Sequence, residues 1–216
     1  MASNLSGMRG LGRGLLEVLR RRQPRSDARA TPFSLAYVVP VGEAVHNEMR
    51  RLQLQMLREY GPNPGMEVSP HITLKQGFGA RTLEPFEAYL DRLAAEVEPF
   101  EITVKDYGFF DEGIVFLDVV RTQRLDALRR RVVRDLSTEF GVRPNDLEGD
   151  RYHYHATLHQ GLPRASLERA RQVLRGVRLE FRFTCDTLAL LCNTGAGWMT
   201  YQRRSLAGPR PSRSRP

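Results

Sequence analysis

The chain has 216 residues, 41% of them hydrophobic, which suffices for one substantial domain or two small lobes sharing a core. No stretch of about 18 apolar residues occurs, so we expect no membrane-spanning helix. The formal net charge of +8 lies at the ends: residues 1–32 hold seven Arg against two acidic residues, and residues 203–216 hold five Arg and no acid. The nearly neutral middle fits a short phosphate ligand at least as well as a long nucleic acid.

The two ends are predicted to lie outside the folded domain. Residues 1–32 are Arg-rich with one short helix over 14–22, and residues 207–216 are interrupted by proline, so both are expected to be disordered tails. We expect the arginines of these tails to be solvated, and the alternative is that they contact RNA. Cys185 and Cys192 form no CxxC pair and indicate packed thiols in a reducing, cytoplasmic location. We expect a monomer.

Between the tails, hydrophobic periodicity predicts a mixture of strands and helices. Apolar residues recur at helical spacing in four segments and alternate, or run continuously, in the segments between them. The predicted helices are 42–60, 83–97, 125–140 and 164–175. The predicted strands are 33–39, two histidine-bearing strands near 71 and 155, 100–107, 113–120, 177–183, 187–192 and 198–206.

One histidine-bearing strand motif occurs twice in the sequence. Residues 70–78 read PHITLKQGF and residues 154–162 read YHATLHQGL, so the two copies share His, Thr, Leu, Gln and Gly at the same spacing. The order of helices and strands around the two copies also repeats. The sequence therefore predicts an internally duplicated α+β domain over 33–206, in which each half contributes one His-x-Thr strand.

Alternation across a strand predicts which side chains share a face. Along one face of the two copies we expect, in order, His71, Thr73 and Lys75, and His155, Thr157 and His159. If the halves are related by a pseudo-two-fold axis, these polar faces meet across one cleft.

Two facing imidazoles suit phosphodiester chemistry without a metal or another cofactor. One neutral ring removes a proton from the attacking oxygen, and the other, protonated, donates to the leaving oxygen. The Thr73 and Thr157 hydroxyls would donate to the non-bridging oxygens. Lys75 and His159 are predicted to contact phosphate. Aromatic candidates for stacking on a base are Phe78, Tyr107, Phe110, Tyr154 and Trp198.

A metal hydrolase is the rival interpretation. His153 and His155 share one strand face, and His159 or His71 would supply a third ligand. Against it, that strand has no carboxylate at ligand spacing, and the first copy has Ser69 in the position of His153. We therefore predict no metal site.

The paired H-x-T-L strands resemble the 2H phosphoesterase superfamily, also called the 2′-5′ RNA ligase or cyclic phosphodiesterase family, over roughly 33–206. The resemblance implies a two-lobed α+β fold with a central cleft, and metal-free action on nucleoside 2′,3′-cyclic phosphates or on 2′-5′ or 3′ RNA ends. It puts the catalytic histidines at His71 and His155 and the hydroxyl residues at Thr73 and Thr157. Gly108 to Phe110 also looks like the family's Gly-x-Phe.

The chain departs from the family in one place. Bacterial RNA ligase members tend to carry Pro-Arg where this chain has the acidic segment DEGIVFLDV. We therefore expect a phosphodiesterase whose partner is a cyclic phosphate or a small nucleotide or RNA-end phosphodiester, with Phe110 and Tyr154 as base contacts. The alternatives are reversible 2′-5′ RNA ligation and a catalytically silent nucleotide- or RNA-binding module.

Overall fold

A computed structural model describes residues 33–208. The predicted disordered tails, 1–32 and 207–216, lie outside these residues except for 207 and 208. The helices are α1 (Glu43–Tyr60), α2 (Glu84–Glu96), α3 (Gln123–Phe140) and α4 (Arg164–Leu174). The strands are β1 (Phe33–Pro40), β2 (His71–Ala80), β3 (Phe100–Phe110), β4 (Ile114–Val119), β5 (His155–His159), β6 (Glu180–Cys185), β7 (Thr187–Asn193) and β8 (Trp198–Ser205).

Helix α3 shows how local sequence sets an element's limits. The Thr122 hydroxyl accepts a hydrogen bond from the Leu125 amide at 3.2 Å and so caps the first turn. Gly141 ends the helix with φ of +68°, a left-handed conformation that costs glycine little. Apolar residues recur every three or four positions between these caps. Because this stripe is buried, packing against the sheets stabilises the helix more than propensity does.

The strands form two antiparallel sheets of four. One sheet has the order β2-β1-β7-β8 and the other β5-β4-β3-β6. The histidine-bearing strands β2 and β5 are therefore edge strands of different sheets, and they contact each other. This confirms the predicted α+β fold of two antiparallel lobes, with the two motifs at the junction between them.

The two lobes do not follow one another along the chain. Strands β7 and β8, from the C-terminal part, complete the sheet of β1 and β2, while β3 to β6 form the other sheet. The connecting helices also cross: α1, which joins β1 to β2, packs against β5 and β6, and α3, which joins β4 to β5, packs against β2. One continuous cluster of buried apolar side chains runs through both sheets. Within residues 33–208 no helix combines the length and apolar character needed to cross a membrane.

Candidate active site

His71 and His155 begin the two motif strands in the same orientation. Nδ1 of His71 lies 2.8 Å from the carbonyl oxygen of Ser69, and Nδ1 of His155 lies 2.9 Å from that of His153. Because a carbonyl oxygen can only accept, each Nδ1 carries the hydrogen. Nε2 is then the atom that takes a proton in the neutral ring and gives one in the charged ring. Both halves thus keep the same ring nitrogen for chemistry.

Burial lowers the pKa of both histidines below the ordinary value of 6.5. For His71 the hydrogen bond to Ser69 opposes this lowering, and the charge of His155 adds to it. For His155 the hydrogen bond to the His153 carbonyl and the Asp118 carboxylate oppose it, and the charge of His153 adds to it. The charge of His155 acts on the pKa of His71, so the two rings lie within electrostatic reach of each other.

A cavity of about 770 Å³ opens beside the motif strands. His71 and Thr73 line it from β2, and Thr157 lines it from β5. The structure therefore brings three of the four predicted catalytic side chains to one space. His155 is not among the lining residues, although it lies two positions before Thr157 on the same strand.

Two aromatic rings hold the His155 imidazole. The ring centroids of Phe110 and Phe116 lie 5.0 and 5.2 Å from its own, Phe110 meeting it edge to face. Phe116 reaches this position across Gly108, where a Cβ atom would lie 2.1 Å from the Phe116 ring. The glycine of the Gly108–Phe110 segment is thus required by packing. Phe110, predicted to contact a base, lies at the site but packs on His155.

The prediction that Lys75 and His159 continue the faces of the two histidines is wrong, because each motif strand contains a bulge. In β2 the register against β1 shifts twice, once at Leu74 and again at Gln76 and Gly77, and in β5 Leu158 is extra opposite β4. A bulge breaks the two-residue alternation of a strand. Lys75 and His159 therefore turn inward, and each is 1% exposed.

Gln76 and Gln160 take the cavity-facing positions instead. The Gln76 Oε1 accepts a hydrogen bond from Asn145 Nδ2 at 2.8 Å, which leaves its amide hydrogens available to a ligand. Sequence reasoning missed these two residues as site members. The signal was present, because glutamine is one of the five residue types that the two motifs share in register.

Tyr154, predicted to stack on a base, is buried on the opposite side of its strand. It is 2% exposed, and its hydroxyl donates a hydrogen bond to Asp126 at 2.8 Å. Burial raises the pKa of this hydroxyl. Tyr154 is also absent from the residues that line the cavity, so it is not placed to stack on a base there.

Each motif strand is held by side chains from beyond its own sheet. The Tyr152 hydroxyl donates to the Thr73 carbonyl at 2.8 Å, and Gln53 Nε2, from α1, donates to the Thr157 carbonyl at 3.1 Å. Both donors are buried. The two threonines therefore receive matching support although the supporting residues differ in type.

The bulge of β2 is fixed by a buried carboxylate. Glu148, from the short 3₁₀ turn Asp146–Glu148, accepts from Lys75 Nζ at 2.7 Å and from the Gln76 amide at 2.8 Å. The Asn145 amide donates to the same carboxylate at 2.9 Å. Side chains of the Lys75–Glu148 pair are 2% and 0% exposed. This pair links the β2 bulge to the segment that leads into β5.

The bulge of β5 is fixed by a neutral amide. Asn63, beside the 3₁₀ turn Pro64–Glu67, donates from Nδ2 to the Leu158 carbonyl at 2.6 Å. Its Oδ1 accepts from the Gln160 amide at 3.4 Å. His159 is directed to the Gly61 carbonyl, 3.1 Å from its Nε2. The backbone amides of Gln76 and Gln160 therefore donate to corresponding groups, a carboxylate in one half and a carboxamide in the other.

The geometry does not assemble the ligands that the rival metal site needs. His153 Nε2 lies 3.0 Å from Asp118 Oδ1, with the imidazole half exposed, and His159 is directed away from the cavity. Among residues 33–208, no group of three or more His, Cys, Asp or Glu side chains is placed to hold a metal ion. The His153–His155 pair thus lacks the third ligand that the sequence suggested.

Solved structures with the same fold were found in several proteins. TT0787 of Thermus thermophilus is 18% identical with a TM-score of 0.55, over 82% of this chain and 100% of that one. A crystal structure of a phosphoesterase is 18% identical with a TM-score of 0.54, over 81% and 98%. E. coli LigT complexed with 3′-AMP is 19% identical with a TM-score of 0.53, also over 81% and 98%. The TM-scores show that these proteins share the fold of this chain, and at identities of 18–19% the likeness shows the fold alone.

The family assignment rests on the sequence itself. No curated protein sequence matches the chain. A family model described as the 2′-5′ RNA ligase superfamily matches residues 41–196, a span that includes both histidine motifs. This confirms the resemblance to the 2H phosphoesterases drawn from the paired motifs. The chain belongs to the 2′-5′ RNA ligase superfamily.

Proposed function

We propose that this protein is a metal-independent phosphodiesterase that opens a 2′,3′-cyclic phosphate or cleaves a small nucleotide or RNA-end phosphodiester. His71 and His155 act as general base and general acid. The observation that carries the proposal is the matched pair of Nδ1–carbonyl hydrogen bonds, which keeps each Nε2 available on two strands that contact each other beside one cavity.

The proposed reaction needs only water and the side chains of the two motif strands. One histidine accepts a proton from water at Nε2 while the water oxygen bonds to phosphorus. The other donates the proton on its Nε2 to the ribose oxygen as the bond from phosphorus to that oxygen breaks. The threonine hydroxyls and the side-chain amides of Gln76 and Gln160 donate to the non-bridging oxygens, where negative charge grows.

The coupling of the two histidines favours this division of roles. Because the charge of one ring lowers the pKa of the other, the state with one proton shared between the pair is populated more readily than the doubly charged state. A bound phosphate anion would in turn favour the protonated ring beside it. One acid and one base on two strands that contact each other is the arrangement the reaction requires.

Solved relatives support a nucleotide as the ligand. E. coli LigT has been crystallised with 3′-AMP and with NADP+, the latter at 20% identity and a TM-score of 0.52. Both ligands carry a phosphate on a ribose. RNA contact through the basic tails, a cytoplasmic location, a monomeric state and the domain limits of 33–206 stay predictions.

A substrate panel tests the proposal. The full chain is assayed on 2′,3′-cyclic nucleotides and 2′-5′-linked dinucleotides, with and without EDTA, beside His71→Ala and His155→Ala. His46→Ala, a histidine on α1 outside the cavity lining, is the matched control. We expect turnover that EDTA leaves intact, a loss of about 10²- to 10⁴-fold in either site variant, and an unchanged control.

The same panel separates the alternatives. Formation of a 2′-5′ linkage in place of its net hydrolysis would favour the ligase alternative. Turnover abolished by EDTA would favour a metal hydrolase. Tight nucleotide binding without turnover would favour the silent binding module, and turnover that survives both histidine substitutions would reject the proposal.

A further inference from the structure

The cavity carries a charge that phosphate chemistry does not use. Among its lining residues in the described part of the chain, Glu67 is the one Asp, Glu, Lys or Arg side chain. A carboxylate repels a phosphate and so is unsuited to contact it. Within residues 33–208, Glu67 is also absent from the ion pairs. Its carboxylate is therefore available to hydrogen-bond donors of a ligand.

The backbone that carries Glu67 is fixed from helix α1. Arg50 donates from Nη1 to the Met66 carbonyl at 2.8 Å and from Nη2 to the Val68 carbonyl at 2.9 Å. These two carbonyls flank Glu67 on either side. The guanidinium thus holds the turn in place without neutralising the carboxylate. A charged group on a fixed backbone is preorganised for recognition.

The Glu67 carboxylate lies against Gly197, the residue before Trp198. A Cβ atom on Gly197, whose φ is +135°, would lie 2.3 Å from Glu67 Oε2, so the carboxylate occupies the space that this glycine leaves. Trp198 follows directly and lines the same cavity. The carboxylate therefore lies against the backbone next to Trp198, and both residues line the cavity.

Trp198 is supported as a flat surface. Its Cζ2 and Cη2 atoms pack over Gly77 of β2, where a Cβ would come within 3.2 Å of both. The indole also packs against a separate small apolar cluster made of Ala36, Val38, Val68, Ala189 and Leu191. The ring is only partly buried and lines the cavity. Stacking on a ligand's base needs such a supported aromatic ring.

We propose that Glu67 and Trp198 form a guanine subsite in this cavity. Guanine presents two adjacent donors, N1–H and the N2 amino group, which match the two oxygens of one carboxylate. Adenine, cytosine and uracil each present a single donor group beside acceptors, which a carboxylate would repel. Asn193, which also lines the cavity, uses its Oδ1 to accept from the Gly195 amide at 2.7 Å, leaving its side-chain amide hydrogens for the guanine O6.

The inference deepens the proposed function and rests on it for the position of the phosphate. With the phosphate beside His71 and Thr73, the base of the same nucleotide would occupy the part of the cavity lined by Glu67 and Trp198. The substrate class is then a guanosine 2′,3′-cyclic phosphate, or an RNA end that terminates in guanosine. The carboxylate would also disfavour a ligand that enters with its phosphate at the Glu67 end.

Binding to the subsite can be measured without turnover. Trp198 is the one tryptophan in the chain, so quenching of the intrinsic tryptophan fluorescence reports this wall of the cavity. The full chain is titrated with the 2′- and 3′-monophosphates of the four nucleosides. We expect guanosine monophosphate to bind about 10- to 100-fold more tightly than the others, the discrimination that a good bidentate contact gives.

Two variants distinguish a contact from a structural role. Glu67→Gln keeps the side-chain size but adds a donor, so we expect guanine preference to fall and adenine, which offers a donor beside an acceptor, to gain. Glu112→Gln, an exposed glutamate in the β3–β4 turn, is the matched control and should retain guanine preference. Equal affinities for the four nucleotides, or a guanine preference that survives in Glu67→Gln, would overturn the subsite.

Turnover tests the proposed phosphodiesterase and nucleotide binding tests the guanine subsite, so either proposal can be rejected without the other. Guanine-selective quenching without hydrolysis of any cyclic nucleotide or 2′-5′-linked dinucleotide would reject the proposed phosphodiesterase and keep the subsite. Hydrolysis of all four cyclic nucleotides with equal kcat/KM, unchanged in Glu67→Gln, would reject the subsite and keep the phosphodiesterase.

Discussion

The environments of β2 and β5 differ although their motifs match. At the β2 bulge Glu148, paired with the buried Lys75, accepts from the backbone amide of Gln76, whereas at the β5 bulge the neutral carboxamide of Asn63 accepts from that of Gln160. The cross-strand neighbour of His71 is Pro40 on β1, and that of His155 is Asp118 on β4. The duplication thus preserved the groups that face the cavity and let the supporting groups diverge. Four predictions separate what the two halves share from what they do not.

The largest expected effect tests what is shared. His71→Ala and His155→Ala should each lower kcat/KM by about 10²- to 10⁴-fold, because each removes one of the two groups that we propose transfer protons. The double variant should lose little more than either single one, since acid and base act as a unit. Steady-state kinetics on the preferred cyclic nucleotide checks this. Multiplied losses in the double variant would mean that the rings act independently.

The next effect, on stability, should differ between the halves. Glu148→Ala leaves the Lys75 ammonium buried without its partner, which costs about 3–5 kcal/mol in the free energy of unfolding. Asn63→Ala leaves the Leu158 carbonyl without its donor, which costs about 1–3 kcal/mol. Urea unfolding followed by circular dichroism measures both.

A surface variant calibrates that comparison. Glu139→Ala removes an exposed ion pair with Arg92 and should cost no more than about 1 kcal/mol. If Glu148→Ala were as mild as Glu139→Ala, the buried pair would not be what holds the β2 bulge. The double change Lys75→Met with Glu148→Gln should restore part of the stability lost in Glu148→Ala, because it leaves no buried unpaired charge.

A smaller kinetic effect tests the two glutamines. Gln76→Ala and Gln160→Ala each remove an amide that we propose donates to the phosphate, and kcat should fall by up to about 10²-fold. Asn145→Ala frees the Gln76 side chain while leaving Gln160 untouched, so it should reduce kcat less than Gln76→Ala. Kinetics beside a urea unfolding curve checks this. Losses explained by instability alone would contradict the role.

The smallest effect is a shift in the pH dependence. The Asp118 charge raises the pKa of His155, so Asp118→Asn should lower that pKa further below its ordinary value. If His155 is the acid, the alkaline limb of the kcat/KM profile moves to lower pH, and if it is the base, the acidic limb does. The limb that moves identifies the role of His155. A profile with neither limb displaced would show that Asp118 has no influence on the pair.

Periodicity predicted most elements of the fold because each buries a regular apolar face. The four helices lie within a few residues of their predicted limits, and the eight strands were all expected. The exchange of β7 and β8 into the first sheet was not predicted, since strand order within a sheet leaves no trace in the alternation of a single strand.

The site was predictable where the repeat itself carried the information. His71, Thr73 and Thr157 reach the cavity because strand alternation holds up to the threonine. Beyond it a bulge reverses the faces, so Lys75 and His159 became interior residues and the shared glutamines took their positions. A bulge depends on pairing with the neighbouring strand, which the motif alone does not encode.

The crossing of the two lobes has a consequence for how such a chain can be divided. A cut between the repeats near residue 120 would give one fragment with β1 and β2 but without β7 and β8, and a second fragment with the reverse deficit. Each piece would expose unpaired strand edges and a bare helix face. Activity recovered by mixing the two fragments would therefore report reassociation of the entire fold, and an ancestral single repeat would have needed a second copy of itself to bury its core.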